Sequence, residues 1–250
     1  MLDVKKIASV EEGVIKLLTI RELPVPDFSV ERACKGEYTH ILRIGEERIP
    51  LLYHRYEPRI NALHGYGRST LENCCLNTYS FVGSDVSLEE LLWRELDLAE
   101  YILGSKIVKI TAFVNGGACN LIAKTALGTL ANLELGNTMA SGTIPQFSHR
   151  LITKHGMASD RTVNNMVEQN GIYLFGNNDT RPLTFDEGDY YLFGLSESES
   201  TEVSYIYGII KGAVDRQELI SQNKRLKGLV KAAFESSRLG KSVFVSEEEL

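Results

Sequence analysis

The chain has 250 residues, 43% of them hydrophobic, with a formal net charge of -6 and a pI near 5.5. That length and apolar content suit one large globular domain, or a domain with an appended segment. The acid excess and the lack of a basic run argue against nucleic acid or an anionic membrane surface as partner, since both need clustered Lys and Arg. No apolar stretch approaches the roughly 20 residues of a membrane span, and Met1-Leu-Asp-Val-Lys-Lys6 lacks the apolar core of a signal peptide. The expected location is the cytoplasm. Cys34, Cys74, Cys75 and Cys119 show no CxxC spacing, so they read as small buried hydrophobes in a reducing compartment, without a zinc or disulfide framework.

Residues 1–36 read as an N-terminal extension of undefined role. Ser9-Val-Glu-Glu12 has the form of a helix cap, Gly13 to Ile20 favours a strand, and Leu23-Pro-Val-Pro26 breaks whatever precedes it. Tyr38–Ile44 and Arg48–Tyr53 flank Gly45-Glu-Glu47, which predicts a hairpin with a three-residue loop.

The next stretch, His54 to Arg68, is the most polar of the chain. It gathers His54, Arg55, Arg59, His64 and Arg68 with Tyr56 and Tyr66, side chains that hold carboxylates, phosphates or sugar hydroxyls. It reads either as a ligand-facing surface or as a solvated loop or oligomer contact. The spacing of His54 and His64 fits no metal-ligand pattern, so no metal site is expected.

Ser87-Leu-Glu-Glu90 has the pattern of a capping box, and Leu88, Leu91, Leu92, Leu96, Ala99, Ile102 and Leu103 follow at helical spacing up to Gly104. Ile107–Val114 and the span from Leu121 to Leu135 read as two or three strands, with Thr129, Ala131, Leu133 and Leu135 on one face and Leu130, Asn132 and Glu134 on the other. Glu90, Arg94, Asp97 and Tyr101 share a helix face. They form either an ordinary i, i+4 Glu-Arg surface pair or a place where Arg94 anchors an anionic or hydroxylated ligand.

Gly136–Pro145 is loop-like, Phe147–Thr153 predicts a strand carrying His149 and Arg150, and a turn follows at His155-Gly156. Gly171–Phe175 predicts a strand, Gly176-Asn-Asn-Asp179 a turn, and Pro182–Phe185 a short edge segment. Two helices follow, Thr201 to Lys211 and the run Leu226, Leu229, Val230, Ala233, Phe234 stopped by Gly240. Ser242–Val245 is extended, and the acidic tail Glu247-Glu-Glu249 is solvated. The fold class is α+β: a large, open, mostly antiparallel sheet with helices packed on one face.

Leu96-Asp-Leu-Ala-Glu-Tyr-Ile-Leu-Gly104, Thr125-Ala-Leu-Gly-Thr-Leu130 and Leu229 to Val243, in this order and spacing, resemble the C-terminal domain of the glucose-fructose oxidoreductase and inositol dehydrogenase (Gfo/Idh/MocA) family. The likeness covers about residues 80–245 and suggests a C-terminal-like domain over 37–250. It implies an oxidoreductase-like, carbohydrate-binding domain that oligomerises. The family's Rossmann phosphate loop is absent from this sequence: Gly65-Tyr-Gly67 is nearest, with Thr70 at the third Gly. There is no Glu-Lys-Pro tripeptide, and the family's helix Asp and His correspond to Glu90 and Arg94. An Arg does not shuttle a proton near neutral pH.

The resemblance therefore implies an accessory or ligand-binding oligomer for a sugar, polyol or sugar acid, pairing with a second copy through the open sheet face. No nicotinamide cofactor is expected on this chain alone, and NAD(P) enters only with a Rossmann-containing partner. The alternatives are the substrate-binding half of an NAD(P)-dependent oxidoreductase completed by such a partner, or a cofactor-independent lyase or isomerase with His54 or His64 as base. Whether the chain is an enzyme stays open at this point. The candidate ligand-binding residues are His54, Arg55, Arg59, His64, Arg68, Arg94, Asp97 and His149.

Overall fold

A computed structural model describes residues 4–32, 37–69, 75–160, 171–176, 180–184 and 192–245. The expectations for Cys34, Cys74, Thr70, the turn 177–179, Phe185 and the acidic tail lie outside these residues. The chain divides into two units, one of 1–57 with 186–224 and one of 58–185 with 225–250.

The smaller unit opens with α1, Val4–Ile20. Gly13–Ile20 is therefore helical and not the expected strand. Val10, Val14 and Leu18 recur at four-residue spacing and are fully buried, so a period of 3.6 wins over the local β-branched content. β1 (Phe28–Glu31), β2 (Ile41–Ile44) and β3 (Glu47–Pro50) form a three-stranded antiparallel sheet. Ile44 pairs with Glu47, so the hairpin loop is the two residues Gly45-Glu46, one fewer than expected, with Gly45 at a φ of 59°.

A 3-10 turn at Tyr53–Tyr56 follows. The unit's later helix, α4, is Glu197–Ile210, and it packs on α1. It starts four residues before the expected Thr201 because Ser196 and Glu199 form a reciprocal capping box. Val203, Ile206 and Ile209 are its fully buried residues facing inward, together with Tyr205.

The larger unit is built on a nine-stranded sheet. Its strands are β4 (Cys75–Gly83), β5 (Ile107–Asn115), β6 (Ala118–Thr125), β7 (Leu130–Met139), β8 (Gln146–Thr153), β9 (Gly156–Ser159), β10 (Gly171–Gly176), β11 (Thr180–Thr184) and β12 (Val243–Phe244). The spatial order is β11-β10-β9-β8-β4-β7-β6-β5-β12. β4 and β7 are parallel and every other pairing is antiparallel. This is the expected mostly antiparallel sheet. One detail differs: β6 ends at Thr125, and Ala126–Thr129 is a turn with Gly128 at a φ of 84°, so Thr125–Leu130 connects two strands instead of lying within one.

α2 (Pro58–Ser69) and α3 (Leu88–Leu103) lie on one face of this sheet. The Ser87 hydroxyl accepts from the Glu90 N–H at 3.1 Å, and Gly104 closes α3 in the left-handed region. The stretch expected as loop or ligand surface is thus largely helical. Gly65-Tyr-Gly67 lies within α2, and a Cβ on Gly67 would sit 2.9 Å from the Ile102 carbonyl. This glycine sets the approach of α2 to α3, not a phosphate loop.

α5 runs from Arg216 to Leu239 and belongs to the larger unit from Arg225 onward. Where β12 stops pairing, Ser236 and Ser237 hydroxyls accept from the Ala112 and Val114 N–H groups at 3.0 and 2.8 Å, which satisfies that part of the β5 edge. The Arg225 Nε–H donates to Glu100 Oε1 at 2.9 Å, and the Ile107 N–H donates to the same oxygen at 2.7 Å. Cys119 is buried, which pushes its thiol up to about 11, and burial raises the half-buried Cys75 as well. Both therefore stay protonated thiols near neutral pH.

Candidate functional site

Helix spacing alone makes α3 amphipathic, yet Trp93, Arg94, Glu95, Asp97 and Glu100 are buried along with its Leu and Ile positions. The charges tolerate this because they are paired. On β8, residues alternate, so His149 points with Leu151 toward the helices and Arg150 points with Ile152 to the other face.

His149 is 1% exposed. Its backbone N–H and its Nδ1–H donate to the two oxygens of Asp160, each at 2.6 Å, and its Nε2–H donates to Glu95 Oε2 at 3.0 Å. The Arg94 guanidinium donates to the other Glu95 oxygen and stacks 3.9 Å from the Phe147 ring centroid. Burial by itself would lower the imidazolium pKa, but the facing Asp160 and Glu95 carboxylates outweigh it and hold the ring proton up to about 10. Burial would likewise raise Glu95, but Arg94 and His149 bring it down to about 2. The result is a chain of alternating charge, Arg94, Glu95, His149, Asp160, in which both imidazole nitrogens act as donors.

The expected ligand residues are distributed over both units. His54 and Arg55 belong to the smaller unit, where His54 Nδ1 lies 3.1 Å from Glu57 Oε1. Arg59, His64 and Arg68 are on α2 in the larger unit. His64 Nδ1 donates to the Tyr101 carbonyl at 2.6 Å and its ring stacks on Tyr101 with centroids 4.2 Å apart. Arg68 is exposed, Arg59 half-buried and Asp97 buried inside α3. Arg94 and His149 are brought together, joined through Glu95, which the sequence pattern did not single out. Asp160 was also missed, since nothing in the sequence links a residue just after β9 to a histidine on β8.

The opposite sheet face carries the residues that alternate with the buried ones along each strand. It exposes Phe113, Ile122, Leu130, Ile152 and Phe244. Between them lies a groove of about 530 Å³, lined by Asn77, Tyr79, Thr111, Asn120, Asn132, Glu134 and Arg150 with Phe113 and Ile122. Asn132 Nδ2 donates to Asn77 Oδ1 at 2.8 Å across the parallel β4–β7 pair. No cluster of metal-ligating side chains occurs among the described residues.

Comparison with protein-family models gives no match, and neither does comparison with curated proteins. The likeness is in the fold. An oxidoreductase domain protein from Kribbella flavida is similar with a TM-score of 0.62 and 14% identity over 78% of this chain and 65% of that one. Levoglucosan dehydrogenase, in complex with NADH and L-sorbose, matches with a TM-score of 0.62 and 12% identity over the same shares of the two chains. A putative myo-inositol dehydrogenase from Sinorhizobium meliloti 1021 matches with a TM-score of 0.59 and 12% identity over 95% of this chain and 70% of that one. The chain thus shares the fold of Gfo/Idh/MocA oxidoreductases at low identity and spans 65% of the length of the first two structures.

Proposed function

We propose that the chain is an accessory or ligand-binding protein on an oxidoreductase-type fold, that it holds a sugar, polyol or sugar acid, and that NAD(P) reaches it only through a Rossmann-containing partner. The observation that carries this reading is the groove on the open sheet face, whose volume of about 530 Å³ falls in the range of small-molecule sites and whose amides, hydroxyls and charges suit hydroxylated ligands. One structural neighbour, levoglucosan dehydrogenase, is in complex with NADH and L-sorbose.

The test is a thermal-shift and fluorescence titration with NADH, NADPH, glucose, myo-inositol, sorbitol and gluconate. A ligand that binds only the folded state raises Tm, so a rise with a sugar-type compound and none with either nucleotide is expected. Tight, saturable NADH binding would overturn it.

A second reading, a homo-oligomer formed through the open sheet face, is favoured by the exposed Phe113, Ile122 and Phe244. Under this reading Ile122→Lys converts the assembly to a monomer in sedimentation. An unchanged mass refutes it.

A further inference from the structure

Arg150 lies on the open face of β8, directly across from Asn77 on β4, which in turn pairs with Asn132 on β7. These three residues form a row across adjacent strands, about 10 Å from end to end at the usual strand spacing. Tyr79 and Glu134 pair in the next row along the same two strands, β4 and β7. All five line the groove.

Three features of this row point to an occupant. The Arg150 Nε is shielded from water and has no hydrogen-bond partner, and no carboxylate among the described residues pairs with its guanidinium. A buried donor without a partner is costly, and a guanidinium is matched best by a carboxylate or phosphate. Next to it, the Asn132–Asn77 bond uses one donor and one acceptor, which leaves an amide donor on Asn77 and a carbonyl acceptor on Asn132. That pair matches a hydroxyl, which both donates and accepts.

The charge balance of the face is the third feature. Across β8, β4, β7, β6 and β5 its charged side chains are Arg150, Lys124, Lys109 and the single acid Glu134, although the whole chain is acidic at -6. Lys109 and Lys124 stand directly opposite each other, an unfavourable pairing without an anion nearby. A second copy would bring the same excess of cations, so the face is better matched by an anion than by itself.

Resting on the ligand-binding reading above, we propose that this row is a binding site for a small hydroxylated monocarboxylate, its carboxylate on Arg150 and its hydroxyls on Asn77, Asn132 and Glu134. Glu134 gives the site a polarity: it accepts from a hydroxyl and repels a second carboxylate.

The experiment is calorimetric titration of the full chain with D-gluconate, with sorbitol, which has the same length without the carboxylate, and with D-glucarate, which carries a second one. Gluconate is expected to bind about tenfold to a hundredfold more tightly than sorbitol, the range a charge-assisted hydrogen bond supplies, and more tightly than glucarate. Arg150→Gln removes the gluconate preference at unchanged Tm. If that variant does not fold, Arg150→Lys, which keeps the charge but loses the two-pronged geometry, must bind gluconate more weakly than wild type while still preferring it to sorbitol. Equal binding of sorbitol and gluconate overturns the carboxylate site and leaves the ligand-binding reading standing. Undiminished gluconate binding by Arg150→Gln also overturns the site. Binding of none of the three overturns the site, and a dimer in sedimentation then identifies a second copy as the occupant of this face.

Discussion

Replacing His149 by Gln tests the alternating charge chain directly. The substitution keeps much of the volume and one donor but removes the cation that faces two carboxylates, Glu95 and Asp160, at 3.0 and 2.6 Å. The imidazolium pKa is raised from 6.5 to about 10 on folding, which at about 1.4 kcal/mol per pH unit amounts to about 5 kcal/mol of pH-linked stability. Leaving a buried carboxylate without its partner costs about 3–5 kcal/mol by analogy with other buried pairs, so the two routes agree. The sign follows from the proton count. Below pH 6.5 both folded and unfolded chains hold the proton and the full contribution is present. Between 6.5 and about 10 only the folded chain holds it, so wild-type stability falls as pH rises, by up to about 1.4 kcal/mol per unit.

Urea unfolding followed by fluorescence of Trp93, the single tryptophan, reads this out, since that ring is buried in α3 beside Arg94. The expected result is a loss of about 3–5 kcal/mol for His149→Gln at pH 6, and a slope between pH 7 and 9.5 that is present in wild type and absent in the variant. Equal slopes in the two proteins would refute the reasoning, because the folded-state proton would then not reside on His149.

Glu95→Gln probes the acid limb: the carboxyl is held from 4.5 down to about 2, so its contribution is complete above pH 4.5 and lost as pH falls toward 2, and the variant should lack that loss in an acid titration of Trp93 fluorescence. Gly67→Ala places a Cβ 2.9 Å from the Ile102 carbonyl and 3.1 Å from Leu151 Cδ2, and should lower stability by about 1–3 kcal/mol in urea unfolding; a stabilised variant would show that α2 and α3 are free to move apart. Ser87→Ala removes the acceptor for the Glu90 N–H and is expected to cost about 1 kcal/mol, read as an earlier thermal transition.

What the sequence made legible was whatever a local period encodes. α3 shows in its Leu spacing and its Ser87 and Gly104 boundaries, and β7 in the alternation of Ala131, Leu133 and Leu135 with Asn132 and Glu134, which the burial pattern follows residue by residue. α1 failed because Gly13–Ile20 carries both periods, and packing on α4 selects the helical one. The polar stretch from His54 failed for a different cause. Its charged residues sit on the outer positions of a helix whose Ile60, Leu63 and Gly67 face inward, and a run dense in Arg, His and Tyr hides that sparse apolar stripe. Partners distant in sequence were illegible altogether: Asp160 meets His149, and Glu100 meets Arg225, across separations of 11 and 125 residues that no local pattern records.

Arg94 on α3 and His149 on β8, joined through Glu95, set the chemistry available on the helix-covered side. With its proton held up to about 10 by the two facing carboxylates, His149 is an imidazolium at pH 7, and both ring nitrogens already donate to carboxylates. A general base needs a pKa near the working pH and a free acceptor nitrogen, and His149 offers neither. Arg94 cannot take the role, because its guanidinium stays charged and is bound to Glu95. The quartet therefore joins α3 to β8 as a fixed, formally neutral set of charges. On the other sheet face, the Arg150 Nε in the groove is shielded from water and has no hydrogen-bond partner, and a convergent polar group of this kind is what a ligand site uses.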